Sequence, residues 1–126
     1  MAMTKTVTDL NVVDLKEFSP ETRVRKKLVH SNMLSSEVVY YEAGQETVLH
    51  HDPKQDEVFY VVEGKGAITF KDSEIKVTTG SMVFVPAGIR HGVRTDEDSP
   101  PRPDLHQGPR RAAPDSAGVG GVKRLP

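Results

Sequence analysis

A chain of 126 residues holds one domain at most, with room for a modest core. Its 17 basic and 18 acidic side chains nearly cancel, so no charge excess draws it to nucleic acid or to an anionic membrane surface. It has no cysteine. Disulfides, thiolate catalysis and Cys-ligated zinc or iron–sulfur sites are therefore excluded, and any metal must be held by nitrogen and oxygen. No apolar run approaches the roughly 18 residues of a spanning helix. The opening stretch MAMTKTVTDL lacks the apolar core of a secretory signal, so the expectation is a cytoplasmic protein.

In chain order, residues 1–22 read as an N-terminal arm or short edge strand, carrying Val12, Val13, Leu15 and Phe18 and closed by Pro20. Residues 23–98 read as the folded part. Strands are predicted at Val24–His30, Leu34–Glu42, Thr47–His51, Glu57–Glu63, Ala67–Lys71, Ile75–Thr78, Met82–Val85 and His91–Thr95. Ser31-Asn32, Gly44, Asp52-Pro53, Gly64–Gly66, Asp72-Ser73, Gly80 and Pro86–Gly88 separate them. No helical period of useful length appears. The prediction is an all-β antiparallel sandwich or barrel, with no room for βαβ crossovers.

From residue 99 the composition changes. The last 28 residues hold six of the nine prolines, four of the ten glycines and no aromatic residue. Such a stretch buries too little apolar surface to offset its ordering entropy, so residues 99–126 are expected to form a disordered tail. The same Pro, Arg, Ala and Gly usage is what a GC-rich gene yields out of frame. On that reading the tail stands in for one or two lost closing strands of the barrel.

Side chains alternate along a strand, so residues two apart share a face. His50 and Asp52 share one, with His51 pointing the other way. His91, Val93 and Thr95 share another. Glu57 opens a strand with apolar residues on both faces, where a carboxylate is expected only if it is paired or coordinates something. A lone histidine is more often a surface or satisfied core residue. The joint pattern makes His50, Asp52, Glu57 and His91 the candidate metal ligands, because His and carboxylate groups at strand ends suit a divalent first-row ion. His30 reads as structural or exposed, and His106 falls in the tail. Candidate cavity-wall residues are Val38, Tyr40, Phe59, Val61, Phe70, Phe84 and Val93, with Tyr40 and Phe59 as substrate contacts. Arg25 is a further orienting candidate, although for Tyr40 and Arg25 an outward position competes with this role.

Two stretches share one rhythm. Gly44, five residues, His50-x-Asp52, four residues, Glu57, six residues and Gly64 form the first; Gly80, five residues, Pro86-x-Gly88, two residues, His91, three residues and Thr95 form the second. These residues resemble the two motifs of small single-domain bacterial cupins, the RmlC-like jelly-roll superfamily, with 15 residues between them, Lys65 to Thr79. The resemblance implies a double-stranded β-helix barrel and a divalent metal, and the carboxylates among the candidate ligands favour Fe or Mn over Zn, Ni or Cu. It also implies a small-molecule ligand and a homodimer. Dioxygenase, isomerase, lyase and decarboxylase activities all occur among cupins, and so do non-catalytic binding modules. Two positions depart from the motif: Asp52 stands where the family has a second His, and Thr95 where it has Asn. Three outcomes stay open for Asp52: a fourth ligand, a cap on the Pro53 turn that leaves a two-His, one-carboxylate set, or a site weakened to the loss of its metal.

Overall fold

The turn residues cut the chain into strands of four to seven residues, and each is long enough to span a small barrel wall. A computed structural model describes residues 3–50, 54–96 and, for the backbone alone, 118–124. Through the described residues run β1 (Val24–His30), β2 (Leu34–Tyr40), β3 (Glu46–His50), β4 (Glu57–Glu63), β5 (Lys65–Thr69), β6 (Glu74–Thr78), β7 (Met82–Val85), β8 (His91–Thr95) and β9 (Gly118–Arg124). No helix occurs among the described residues. The first eight strands fall on the eight predicted ones, with ends shifted by one or two residues.

The strands form two antiparallel sheets, ordered β1-β2-β9-β4-β7 and β3-β8-β5-β6. Between them lies a core of Tyr41, Val61, Ile68, Val77 and Val93. Val39, Phe59, Phe70 and Val83 pack against it, half-buried. Among the described residues the positive-φ positions are Gly44, Gly64, Gly80 and Gly88, all four drawn from the two motifs. Each turns the chain at a strand end in a conformation that a Cβ would disfavour.

Strand β2 presents its faces the opposite way from the expected one. Val39 and Tyr41 point into the core, whereas Val38 and Tyr40 are buried on the outer face beneath the N-terminal segment. The Tyr40 hydroxyl donates to the Val12 carbonyl at 2.6 Å, and the Phe18 ring meets Tyr40 edge-on at 5.8 Å. Lys26 Nζ donates to the Leu15 carbonyl at 2.9 Å, and Lys16 pairs with Glu63. Residues 12–18 thus act as an arm laid over the sheet, and no strand forms in them. Phe84, expected in the cavity wall, is 54% exposed, because it lies opposite Val58 on the outer face of the β4–β7 pair.

Beyond Thr95 the sequence predicts no strand, yet residues 118–124 occupy the slot between β2 and β4. Val38 pairs with Gly120 on one side, and Tyr60 pairs with Gly120 on the other. The physical reason is backbone pairing. Without β9, both β2 and β4 would present a row of unpaired amide and carbonyl groups. Two hydrogen-bonded ladders outweigh the poor strand propensity of a glycine-rich segment. Residues 97–117, of which 99–117 were assigned from sequence to the tail, lie outside the described residues, as do His51, Asp52 and Pro53.

Candidate metal centre

The site is assembled where the two sheets come together at one end of the strands. In the four-stranded sheet His50 stands directly opposite His91, after an irregularity between Thr47 and His50 that re-aims the end of β3. The two rings lie 4.6 Å apart, centroid to centroid. Gly92 permits this approach. A Cβ there would sit 2.4 Å from the Thr47 carbonyl oxygen, so only a glycine lets β3 and β8 close at this point.

Glu57 arrives from the other sheet, opening β4 opposite Val85 of β7. The chain then turns through residues 86–89. The Ile89 amide donates to the Pro86 carbonyl at 3.3 Å, and Gly88 takes φ 85° at the third position, as a type II turn requires. Asp56 holds this turn against the start of β4, its Oδ1 accepting the Ala87 amide at 2.9 Å. One short loop therefore delivers His91 to Glu57, with Nε2 and Oε1 3.1 Å apart.

Glu57 and His91 are 4% and 1% exposed, while His50 faces solvent. One ligand atom from each of the three residues lies within 4.8 Å of the other two. That is close to the spread of roughly 4 Å occupied by three ligands about 2.1 Å from one ion. The imidazole tautomers suit the role. His91 Nδ1 faces the Ile89 carbonyl at 2.8 Å, and His50 Nδ1 faces the Val48 carbonyl at 3.2 Å. A carbonyl only accepts, so each Nδ1 carries the proton and each Nε2 keeps its lone pair for a ligand. The Phe59 ring packs edge-on against His91 at 5.3 Å.

His50 and Glu57 open into a cavity of about 320 Å³ whose wall includes Val39, Tyr41, Phe59 and Val93. Arg23, Arg25 and Glu37 also line it. The Arg25 guanidinium donates to both Glu37 oxygens, at 3.2 and 3.1 Å. The Tyr41 hydroxyl meets Thr47 Oγ1 at 2.7 Å, and burial pushes the phenol pKa up from its ordinary value.

Of the residues singled out from sequence, His50, Glu57 and His91 are brought together, and Phe59 lines the cavity beside them. Asp52 lies outside the described residues. Tyr40 does not reach the cavity, because alternation along β2 turns it toward the arm, and Tyr41 takes the inward place. Arg25 lies at the cavity after all, and Arg23 joins it two residues earlier on the same face. The signal for Arg23 was the Arg-x-Arg spacing at the start of a strand. Thr95 serves the fold: its buried hydroxyl donates to the Gln45 carbonyl at 2.6 Å and ties the end of β8 to the turn before β3.

Comparison with known proteins bears on both fold and site. An uncharacterised protein of Streptomyces coelicolor is 51% identical over 37 residues, which is 29% of this chain and 35% of that protein. The chain thus spans less than half of the length of the curated relatives it matches. Among solved structures, an RmlC-like cupin from Desulfovibrio desulfuricans superposes with a TM-score of 0.76 at 19% identity, over 94% of this chain and 97% of the other. A protein of Thermus thermophilus gives 0.73 at 21% identity, over 93% and 96%. At such identities the likeness speaks for the fold, an RmlC-like jelly roll. Residues 37–102, just over half of the chain and including both glycine-framed motifs, match the family model described as a cupin domain. On that match, the chain belongs to the cupin family.

Proposed function

We propose that this cupin is a metal-dependent enzyme acting on a small organic molecule, with His50, Glu57 and His91 as metal ligands. The observation that carries the reading is the convergence of three ligand atoms within 4.8 Å at the side of a cavity of about 320 Å³. Asp52, two residues from His50, remains part of the proposal as a fourth ligand. Two imidazoles and a carboxylate leave coordination positions open, as at non-haem Fe(II) centres, and Asp52 as a second carboxylate would add the hard oxygen that suits Mn(II) as well. The ion would supply Lewis acidity and a charge that polarises a substrate oxygen atom. The remaining work falls to the protein. The carbonyls of Val48 and Ile89 hold the imidazole rings in their ligating tautomer. Phe59, Val39 and Val93 keep water from the substrate side, with Phe59 as the substrate contact nearest to His91. Oxygenase, isomerase and lyase chemistry all use such a site, and the class of reaction awaits a substrate.

A second reading is a non-catalytic receptor for a sugar or another metabolite. One feature favours it: Asp52 stands where the cupin motif has its second histidine. Elemental analysis of the purified protein separates the two readings. Stoichiometric Fe or Mn, lost on changing Glu57→Gln, supports the enzyme; no metal at any loading ends it. A homodimer in the cytoplasm completes the proposal. Support for the dimer comes from Tyr60, Met82 and Phe84, exposed on the outer face of β4 and the edge strand β7. Light scattering after size exclusion should give a mass near twice 13.9 kDa, and a monomer would refute it.

A further inference from the structure

We infer that the small molecule bound in this cavity carries a carboxylate, and that Arg23 is the residue that grips it. The inference rests on the metal reading above and names the class of ligand for the same site. Two guanidinium groups line the cavity, and they are differently placed. In the β1–β2 ladder Val24 lies opposite Tyr40 and Arg25 opposite Val39. Continuing that register sets Arg23 beside Tyr41, on the cavity face with Arg25. Arg25 is balanced, since both oxygens of Glu37 accept from it. Arg23 is not. Among the described residues no carboxylate lies within ion-pair distance of it.

The charges then decide the ligand. Against a divalent ion, Glu57 contributes a single negative charge, leaving one positive charge at the metal. Arg23 adds a second. Even with Asp52 as a further ligand, the cation of Arg23 stays unmatched by any described group. A neutral occupant would cover this guanidinium and give nothing in return for its lost hydration. A carboxylate matches its planar fork with two parallel charge-assisted hydrogen bonds. A phosphate ester brings close to two charges and three acceptor oxygens, more than one unbalanced guanidinium satisfies. The cavity lies at the lower end of the size range for small-molecule sites, and Val39, Phe59 and Val93 make its wall apolar. The fitting ligand is a short organic acid. One end meets the metal ligands, and a carboxylate at the other meets Arg23.

Calorimetric titration of the Mn(II)-loaded protein with succinate and with butyrate tests this. The two probes share a four-carbon chain, and only succinate has a second carboxylate. Wild-type protein should bind succinate about tenfold more tightly or better, from the worth of a charged hydrogen-bonded pair. Arg23→Gln should erase that preference while Mn content stays at the wild-type level. Arg23→Lys, which keeps the charge without the fork, should restore part of it and serves where Arg23→Gln melts early. Equal affinity for the two probes, a preference that survives both variants, or no binding of either probe overturns the inference. Tighter binding of inorganic phosphate than of succinate overturns the choice of carboxylate. Failure of the wild type to take up metal has a different signature: it removes the metal reading, and this inference with it.

Discussion

Glu57 shows how a single position can carry chemical meaning. A buried carboxylate at a strand start costs several kcal/mol of lost hydration unless an opposite charge or a hydrogen-bond donor meets it. Here a metal ion held jointly with His50 and His91 would supply that charge, and Glu57 Oε1 lies 3.1 Å from His91 Nε2. Changing Glu57→Gln keeps the shape and removes the charge; Mn(II) affinity should fall at least 10- to 100-fold, as judged by the losses that weaker perturbations around metal ligands cause. Calorimetry with Mn(II) checks it. Tyr41 supports a prediction in pH. Burial raises its phenol above the ordinary 10.0, so the unfolded chain loses this proton first. The stabilisation is whole below pH 10 and is lost as pH rises through the raised folded value. Tyr41→Phe should start about 1 kcal/mol less stable, for the lost bond to Thr47. Its melting temperature should then fall less steeply than that of the wild type above about pH 10, by thermal denaturation across the alkaline range. His50, Glu57 and His91 were readable from spacing, because period-two alternation and glycine punctuation are local properties. The choice of Tyr41 over Tyr40 was not readable. Val38-Tyr40 and Val39-Tyr41 are equally apolar, and only the arm lying on one side tells them apart.

At the scale of the strands, the site depends on how closely β3 and β8 run. Gly92 sits between His91 and Val93 and leaves no room for a methyl group against the Thr47 carbonyl. Gly92→Ala should therefore cost about 1–3 kcal/mol, the usual penalty of overpacking. It should also weaken metal binding more than an equally destabilising change in the distant β5–β6 ladder, because it separates His50 from His91. Denaturant melts and Mn(II) titrations on the two variants measure the two effects. The turn at residues 86–89 plays the complementary part. Gly88 bends it, Asp56 pins it through the Ala87 amide, and the two motifs become one unit. The motif spacing announced this turn. It did not announce Asp56, whose role appears only when β4 and the loop after β7 are side by side.

For the whole molecule, the five-stranded sheet is continuous only because β9 joins β2 to β4. A chain ending at Asp96 should expose two strand edges and aggregate or melt well below the full chain. A soluble, equally stable truncation would show that residues 118–124 contribute nothing to the fold. The alternation of short apolar runs, the punctuating glycines and prolines, and the absence of cysteine were enough to establish an all-β chain with a His–Glu–His set at its strand ends. These are properties of neighbours along the chain, where period and turn chemistry act directly. Three things depended on contacts between residues far apart in sequence. They are the face of β2 that looks inward, the entry of a glycine-rich segment into a sheet slot, and the meeting of Arg23 with His50 and Glu57 in one cavity. Each is set by what lies across the sheet or between the sheets, and no local pattern carries that information.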